Sequence, residues 1–330
     1  MKREAFLGQQ AAPCVVISLD FELRWGVHDR LGLQIDQYRS NIENVRIIVP
    51  TLLKMFTERG IHATWAHVGA IGCNGWDEYF ERAPSPPKYI KTHLAFNPRV
   101  ADMDPNGRLY FAPDLVERIS RAKGQELGTH TFSHIFAREE GFTDSDLLSD
   151  LDAVSQIGTD KFGGPPVSLV FPRNQIAWLQ TMYQKGIKIY RSNQSGWCYD
   201  ATQSGENTLL ARGCRLMRDL NPLESSLTDR KSALTQASIF VRFDLPYLGW
   251  TLHFERIRRE LDRIKCGQVF HLWWHPHNLG GDLSKSLERA QRIADLIGEG
   301  VAQARLKSLN MREVYEQTAF PKSPDFRSSV

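Results

Sequence analysis

The chain has 330 residues, 42% of them hydrophobic and 24% charged, with a net charge of +3. That is the composition of a soluble globular protein large enough to bury a sizeable core. The positive excess is too small to point to a nucleic-acid partner, and no run approaches the ~20 apolar residues of a membrane span.

Cys14, Cys73, Cys198, Cys214 and Cys266 show no CxxC spacing. This argues against a zinc knuckle or a disulfide framework and suits a reducing compartment. The opening MKREAFLGQQAAP lacks the apolar stretch of a signal peptide, so the expected location is cytoplasmic.

In chain order, Cys14–Phe21 is predicted as a strand. A helix over 41–59 follows, with a kink at Pro50 and an end at Gly60. A second strand covers 63–68. Residues 115–123 are helical, stopped by Gly124, and 126–131 are strand-like. Thr143, Asp144, Ser145 and Asp146 carry a capping pattern that opens a helix to about Ile157. Strand 167–171, helix 176–185 and strand 187–190 come next. Strands at 239–243, Gln268–Trp274 and 306–309, with helices over 253–265 and 284–297, complete the set.

Strands alternating with helices imply an α/β chain with a parallel sheet covered on both faces. Seven or so such units fit a closed or nearly closed barrel. Two stretches break the rhythm, 81–111 and 200–238. Neither has the composition of a domain boundary, so both are expected to be long functional loops within one domain.

Four strand ends deliver polar groups. In the segment VVISLDFELRWG, residues two apart share a face, so Ser18, Asp20 and Glu22 point one way and Ile17, Leu19 and Phe21 the other. With the apolar set against the outer helices, the two acids face the barrel axis at the C-terminal end of the strand, the active-site position of such barrels. Arg24 shares their parity and is a possible partner for Glu22. In ELGTHTFSH, His130 and His134 would stand about 13 Å apart in an extended chain. They can share an ion only if the strand ends near Thr129 and the chain turns. Two histidines and a carboxylate leave open positions on zinc or iron, the pattern of a catalytic centre. In QVFHLWWHPHN, Pro276 ends the strand and sets His275 at its terminus, where a general acid can sit, with His277 as a neighbouring competitor. In SLVFPRNQ, Arg173 follows an apolar strand, and a guanidinium there can hold a carboxylate bidentately.

With these four segments, the sequence resembles the polysaccharide deacetylase (NodB-homology) family of carbohydrate esterases. SLDFE, THTFSH, FPRNQ and LWWHPH look like its motifs, ATWAHVG like its second strand and LNMREVYE like its C-terminal end. The likeness runs from about residue 14 to residue 316, outside the two insertions. It implies a distorted (β/α)7-type barrel that hydrolyses amide or ester groups, usually the N-acetyl group of an amino sugar. Asp20 would be the general base and His275 the general acid, with Arg173 orienting Asp20. Glu22, His130 and His134 would hold a divalent metal, most often zinc.

The sequence departs from that pattern in two places. Glu22 stands where the family has a shorter aspartate. Its fourth motif normally supplies an aspartate that tunes the acid; in IYRSNQSGWCYD only Asp200 is acidic, and Arg191 and Asn193 occupy the strand end. The expected substrate is a carbohydrate, as a sugar nucleotide or lipid-linked amino sugar for surface polysaccharide assembly. Trp25, Trp197, Trp273 and Asn193 are the candidates to touch it, the indoles by stacking. The alternatives are a metal-independent hydrolase of cyclic amides or ureides on the same fold, and a catalytically silent carbohydrate-binding relative.

Overall fold

A computed structural model describes residues 11–32, 34–200, 208–231 and 234–319. Residues 201–207 and 232–233 of the second insertion lie outside the described residues.

The strands are β1 (Cys14–Phe21), β2 (Ala63–His67), β3 (Gln125–Thr129), β4 (Ser168–Leu169) and β5 (Ile189–Ser192). They continue as β6 (Thr228–Asp229), β7 (Leu234–Gln236), β8 (Ile239–Phe240), β9 (Gln268–Trp274) and β10 (Lys307–Leu309). From β1 through β2, β3, β4 and β5 to β7 every pairing is parallel. The chain then crosses from β5 to β9. Ala237 N donates to Ser192 O at 3.0 Å, Ser238 N donates to His271 O at 2.8 Å, and β8 lies parallel to β9. Because β9 also pairs with β1 in parallel, the ring closes over seven strand positions, with β7 and β8 sharing one. This is the expected (β/α)7-type barrel. β10 runs beside the N-terminal half of β1, and the antiparallel β6 joins the start of β9.

All eight residues of β1 are buried, as a strand covered on both sides requires. Ile17, Leu19 and Phe21 join Ile48, Leu52 and Ile293 of the helices Val45–Glu58 and Leu283–Ala302 in one apolar cluster. Ser18, Asp20 and Glu22 turn inward, as the two-residue period predicts. The capping pattern at Thr143 forms in full: Asp146 N donates to the Thr143 hydroxyl and Thr143 N to the Asp146 carboxylate.

Several elements differ from the sequence-based expectation: the strand expected over 239–243 keeps only Ile239–Phe240, and the helix expected over 253–265 spans Tyr247–Arg263. The helix expected over 41–59 is divided at Asn44 into Arg39–Glu43 and Val45–Glu58, and Pro50 sits inside the second piece. The strand expected over 167–171 keeps only Ser168–Leu169. Pro172 follows, and Arg173 and Asn174 take left-handed φ values of 55° each, which turns the chain. The stretch 200–238 is not irregular throughout: it holds the helix Leu209–Leu220, capped by the Thr208 hydroxyl, and strands β6 and β7.

Candidate active site

Glu22 is the first residue after β1. Leu23, with φ of 46°, turns the chain into the short 3-10 helix Leu23–Val27, and the alternation of the strand ends there. Arg24 therefore swings away from Glu22. Its guanidinium donates to the Tyr110 hydroxyl at 3.1 Å and to carbonyls of the 32–37 loop, such as Gln34 O at 2.9 Å. Arg24 does not neutralise Glu22, contrary to the parity expectation. The same turn buries Trp25 completely, at 0% exposure. Its indole N–H donates to Tyr110 O, and its rings pack on Tyr79, Phe96 and Tyr110. Trp25 is thus a core residue and not a sugar platform.

The Glu22 carboxylate curls back over Gly26. A Cβ built there would lie 2.0 Å from the Glu22 carboxyl carbon, so only glycine lets the longer acid take this seat. We expect Gly26→Ala to displace the carboxylate and to weaken the binding of an added divalent ion at least about tenfold, as loss of outer-shell support does. Equilibrium dialysis measures this, with circular dichroism to confirm an unchanged fold.

β3 ends at Thr129 and the chain turns at once, with Thr131 and His134 at φ of 65° and 53°. Asp150 holds that turn from the helix Asp144–Lys161. Its carboxylate accepts from Phe132 N at 2.6 Å and Ser133 N at 3.0 Å. Burial pushes Asp150 up to about 7 against those two amide donors. No sequence signal marked Asp150; it acts across a tertiary contact.

The turn brings both histidines to one oxygen of Glu22. Oε2 lies 3.3 Å from His130 Nε2 and 3.1 Å from His134 Nε2. On the other side, Oε1 lies 3.5 Å from His275 Nε2 and 3.8 Å from His277 Nε2. Burial raises the Glu22 carboxyl, but the His275, His130 and His134 rings outweigh it and hold the group well below the usual range. Burial lowers His134 to about 4 despite Glu22, so at neutral pH its ring is uncharged.

His130 is oriented by its other nitrogen, with Nδ1 2.8 Å from Val170 O. A carbonyl only accepts, so Nδ1 carries a proton, and the neutral tautomer of this ring would offer its Nε2 lone pair to an ion. Together with the two histidines and one carboxylate of the set, this fits a divalent ion with open coordination positions.

Asp20 sits deeper, 3% exposed. Arg191 of β5 grips it bidentately, Nη1 to Oδ1 at 2.7 Å and Nη2 to Oδ2 at 2.8 Å. The guanidinium also donates to Ser18 Oγ at 3.0 Å and Asn174 Oδ1 at 3.0 Å, and stacks 4.1 Å from the Trp273 ring. Burial raises Asp20, but Arg191 and His130 more than offset it, and the carboxyl stays below its ordinary value. His275 Nε2 is 3.8 Å from Asp20 Oδ2.

Arg173 is not the residue that orients Asp20. The left-handed turn after β4 directs its Nη2 to both carboxylate oxygens of Asp29, at 2.6 Å each, and its side chain lies over Phe136. Of the other expected substrate contacts, Trp273 packs under Arg191 beside the site. Asn193 donates to Asn174 O at 3.2 Å and leaves Oδ1 without a partner. Trp197 is 60% exposed in the short 3-10 helix Trp197–Tyr199 and is not among the residues that contact Glu22 or Asp20.

No protein-family model matches the chain, and no curated protein matches it. Among solved structures it is similar to a candidate polysaccharide deacetylase from Mycobacterium smegmatis. That likeness has 16% identity, a TM-score of 0.52 and 94% of each chain covered. It is also similar to a family 4 carbohydrate esterase from Streptomyces lividans (14% identity, TM-score 0.40, 90% of this chain and 93% of that one). A family 4 pseudoenzyme from Bacillus anthracis matches at 10% identity and a TM-score of 0.45, over 93% of this chain and 66% of that one. The first of these likenesses shows the (β/α)7-type fold that the motifs implied.

Proposed function

We propose that this chain is a metal-dependent hydrolase that removes an N-acetyl or related acyl group from an amino sugar, with zinc as the ion. The observation that carries the reading is the buried Glu22 carboxylate facing four imidazoles beside an Asp20 held ionised by Arg191. Glu22, His130 and His134 would hold the ion. When bound, it supplies Lewis acidity for the acyl carbonyl and for the attacking water.

A carboxylate held low is a weak base, so Asp20 is suited to take a proton from a water already made acidic. Arg191 keeps the Asp20 oxygens aimed at that proton throughout. His275, with 23% of its side chain exposed, reaches the mouth of the barrel and delivers a proton to the leaving nitrogen, which is otherwise too basic to depart. Trp273 and Asn193 line the approach. A cytoplasmic sugar nucleotide or lipid-linked amino sugar remains the substrate class that best suits the chain. Arg24, the cation that strand parity offered to Glu22, is committed to Tyr110 and the 32–37 loop, which weighs against the metal-independent alternative.

Acetate release from N-acetylglucosamine oligomers tests the reading. Turnover should vanish in chelator and return with zinc, and Asp20→Asn should lower kcat by ~10³-fold or more while sugar binding persists. Full turnover of metal-free protein would overturn the ion's role. Sugar binding indifferent to Asp20→Asn, with no turnover in the parent protein, would leave a binding protein.

A further inference from the structure

Glu22 is shared between two sets of ligand atoms. Oε2 serves His130 and His134, while Oε1 faces His275 and His277 at 3.5 and 3.8 Å. In the second set too, the three ligand atoms lie within 4.8 Å of one another.

The second pair is built into the fold. His275 and His277 flank Pro276, and their rings stack with centroids 5.0 Å apart. The backbone that carries them is fastened to the helix Arg39–Glu43 and its end: Asn41 Nδ2 donates to His277 O at 3.0 Å and Asn44 Nδ2 to Gly280 O at 2.8 Å. Gly280 is held so close to that helix that a Cβ would meet the Asn41 backbone at 2.5 Å. Tyr38 closes the far side of the His277 ring. His277 is 5% exposed, and its Nδ1 has no hydrogen-bond partner. The proposed reaction makes no use of it.

We propose that His275, His277 and Oε1 of Glu22 form a second divalent-metal position, bridged by the Glu22 carboxylate to the one at His130 and His134. A carboxylate with one oxygen on each of two ions is the usual bridge of paired-metal sites, which hold their ions ~3.5–4 Å apart. The longer side chain of glutamate, turned over Gly26, presents its two oxygens to the two histidine pairs. Filling the second position places a cation on the His275 nitrogen that would carry the acid's proton. The second ion is therefore inhibitory; that consequence rests on the acid role of His275, whereas the site itself does not.

Titration of chelator-treated protein with Mn²⁺ tests the site apart from turnover. Bound metal should saturate near about two equivalents per chain, and the second equivalent should bring in the spin-coupled resonance of a close Mn²⁺ pair. His277→Gln should bind about one equivalent with no coupling, and His134→Gln should lose the other equivalent. Circular dichroism checks that each variant is folded. Saturation of the parent protein at about one equivalent, or a coupled pair that survives His277→Gln, would overturn the proposal. Excess metal should slow acetate release by the parent protein and do so less in His277→Gln. If no acetate is released under any condition, the Mn²⁺ count and the resonance still decide the site while the deacetylase reading fails.

Discussion

Arg191→Met is expected to destabilise the fold by about 3–5 kcal/mol and to abolish turnover, whereas Arg173→Met leaves turnover within a few-fold of the parent. The physical ground is the fate of the partner. Both side chains of the Arg191–Asp20 pair are almost fully buried, 1% and 4% exposed. Removing the guanidinium strands a carboxylate in a place where water cannot replace the lost bonds, and breaking one side of such a pair costs about that much. Asp20 must then take up a proton, and a protonated Asp20 cannot serve as a base. Ser18 Oγ and Asn174 Oδ1 lose a donor at the same time. In the Arg173–Asp29 pair 24% of the Arg173 side chain is exposed but only 6% of that of Asp29, so Arg173→Met should also cost stability, yet it spares turnover because the pair does not hold Asp20. Arg191→Lys separates charge from geometry. A lysine keeps the positive charge but cannot form the two parallel bonds, so it should recover part of the stability and little of the rate. Urea unfolding and initial rates on the variants measure both effects. Equal losses of turnover at the two arginines would mean that Asp20 is held by something other than the bidentate grip.

The contrast between the two arginines shows where the sequence is legible. The inward face of β1 follows from a period of two, which holds as long as the strand lasts, so Asp20 and Glu22 are placed correctly by counting. The turn after Thr129 is also required, because His130 and His134 cannot meet on an extended chain. Counting fails beyond the strand ends. Arg24 and Trp25 keep their parity only on paper, since the left-handed Leu23 starts a 3-10 turn that sends one to the 32–37 loop and the other into the core. Arg173 fails for the same reason, four residues beyond a strand that stops at Leu169 and after the turn at Pro172. Arg191 was noted at a strand end but had no assigned partner, because the contact between β5 and the start of the barrel spans 171 residues. Asp150 acts through a contact of the same tertiary kind. The glycine of ELRWG is visible in the sequence, but its purpose appears only when the Glu22 carboxylate is seen lying on its Cα.

Acidification from pH 7 to 5 should destabilise the chelator-treated protein. Five histidines are buried deeply enough to be held uncharged: burial lowers His67, His134 and His253 to about 4, and His271 and His277 to about 3. In the unfolded chain each returns to about 6.5. Between those values the unfolded state binds more protons than the folded one, so stability rises with pH through this window. It is fully present above ~6.5 and is lost as pH falls toward the folded values, roughly 1–2 kcal/mol per histidine by pH 5. Against a total of ~5–15 kcal/mol, five such groups weigh heavily. Asp150 works in the opposite sense, since burial makes the folded state hold its proton up to about 7, and burial raises Glu126, Asp219 and Glu260 in the same direction, so the slope measures the excess of the histidine set over these carboxyls. His253 isolates the effect because it lies away from the metal candidates, with Nδ1 2.9 Å from Asp219 O. His253→Asn should lower stability at pH 7 and flatten its slope between pH 7 and 5 by one histidine's share. Zinc should stabilise the parent protein most near neutral pH and least at pH 5, where protons compete for the ligand nitrogens. Urea midpoints across this range, with and without zinc, measure both trends, and a flat profile from pH 7 to 5 would show that the histidine set has no such excess.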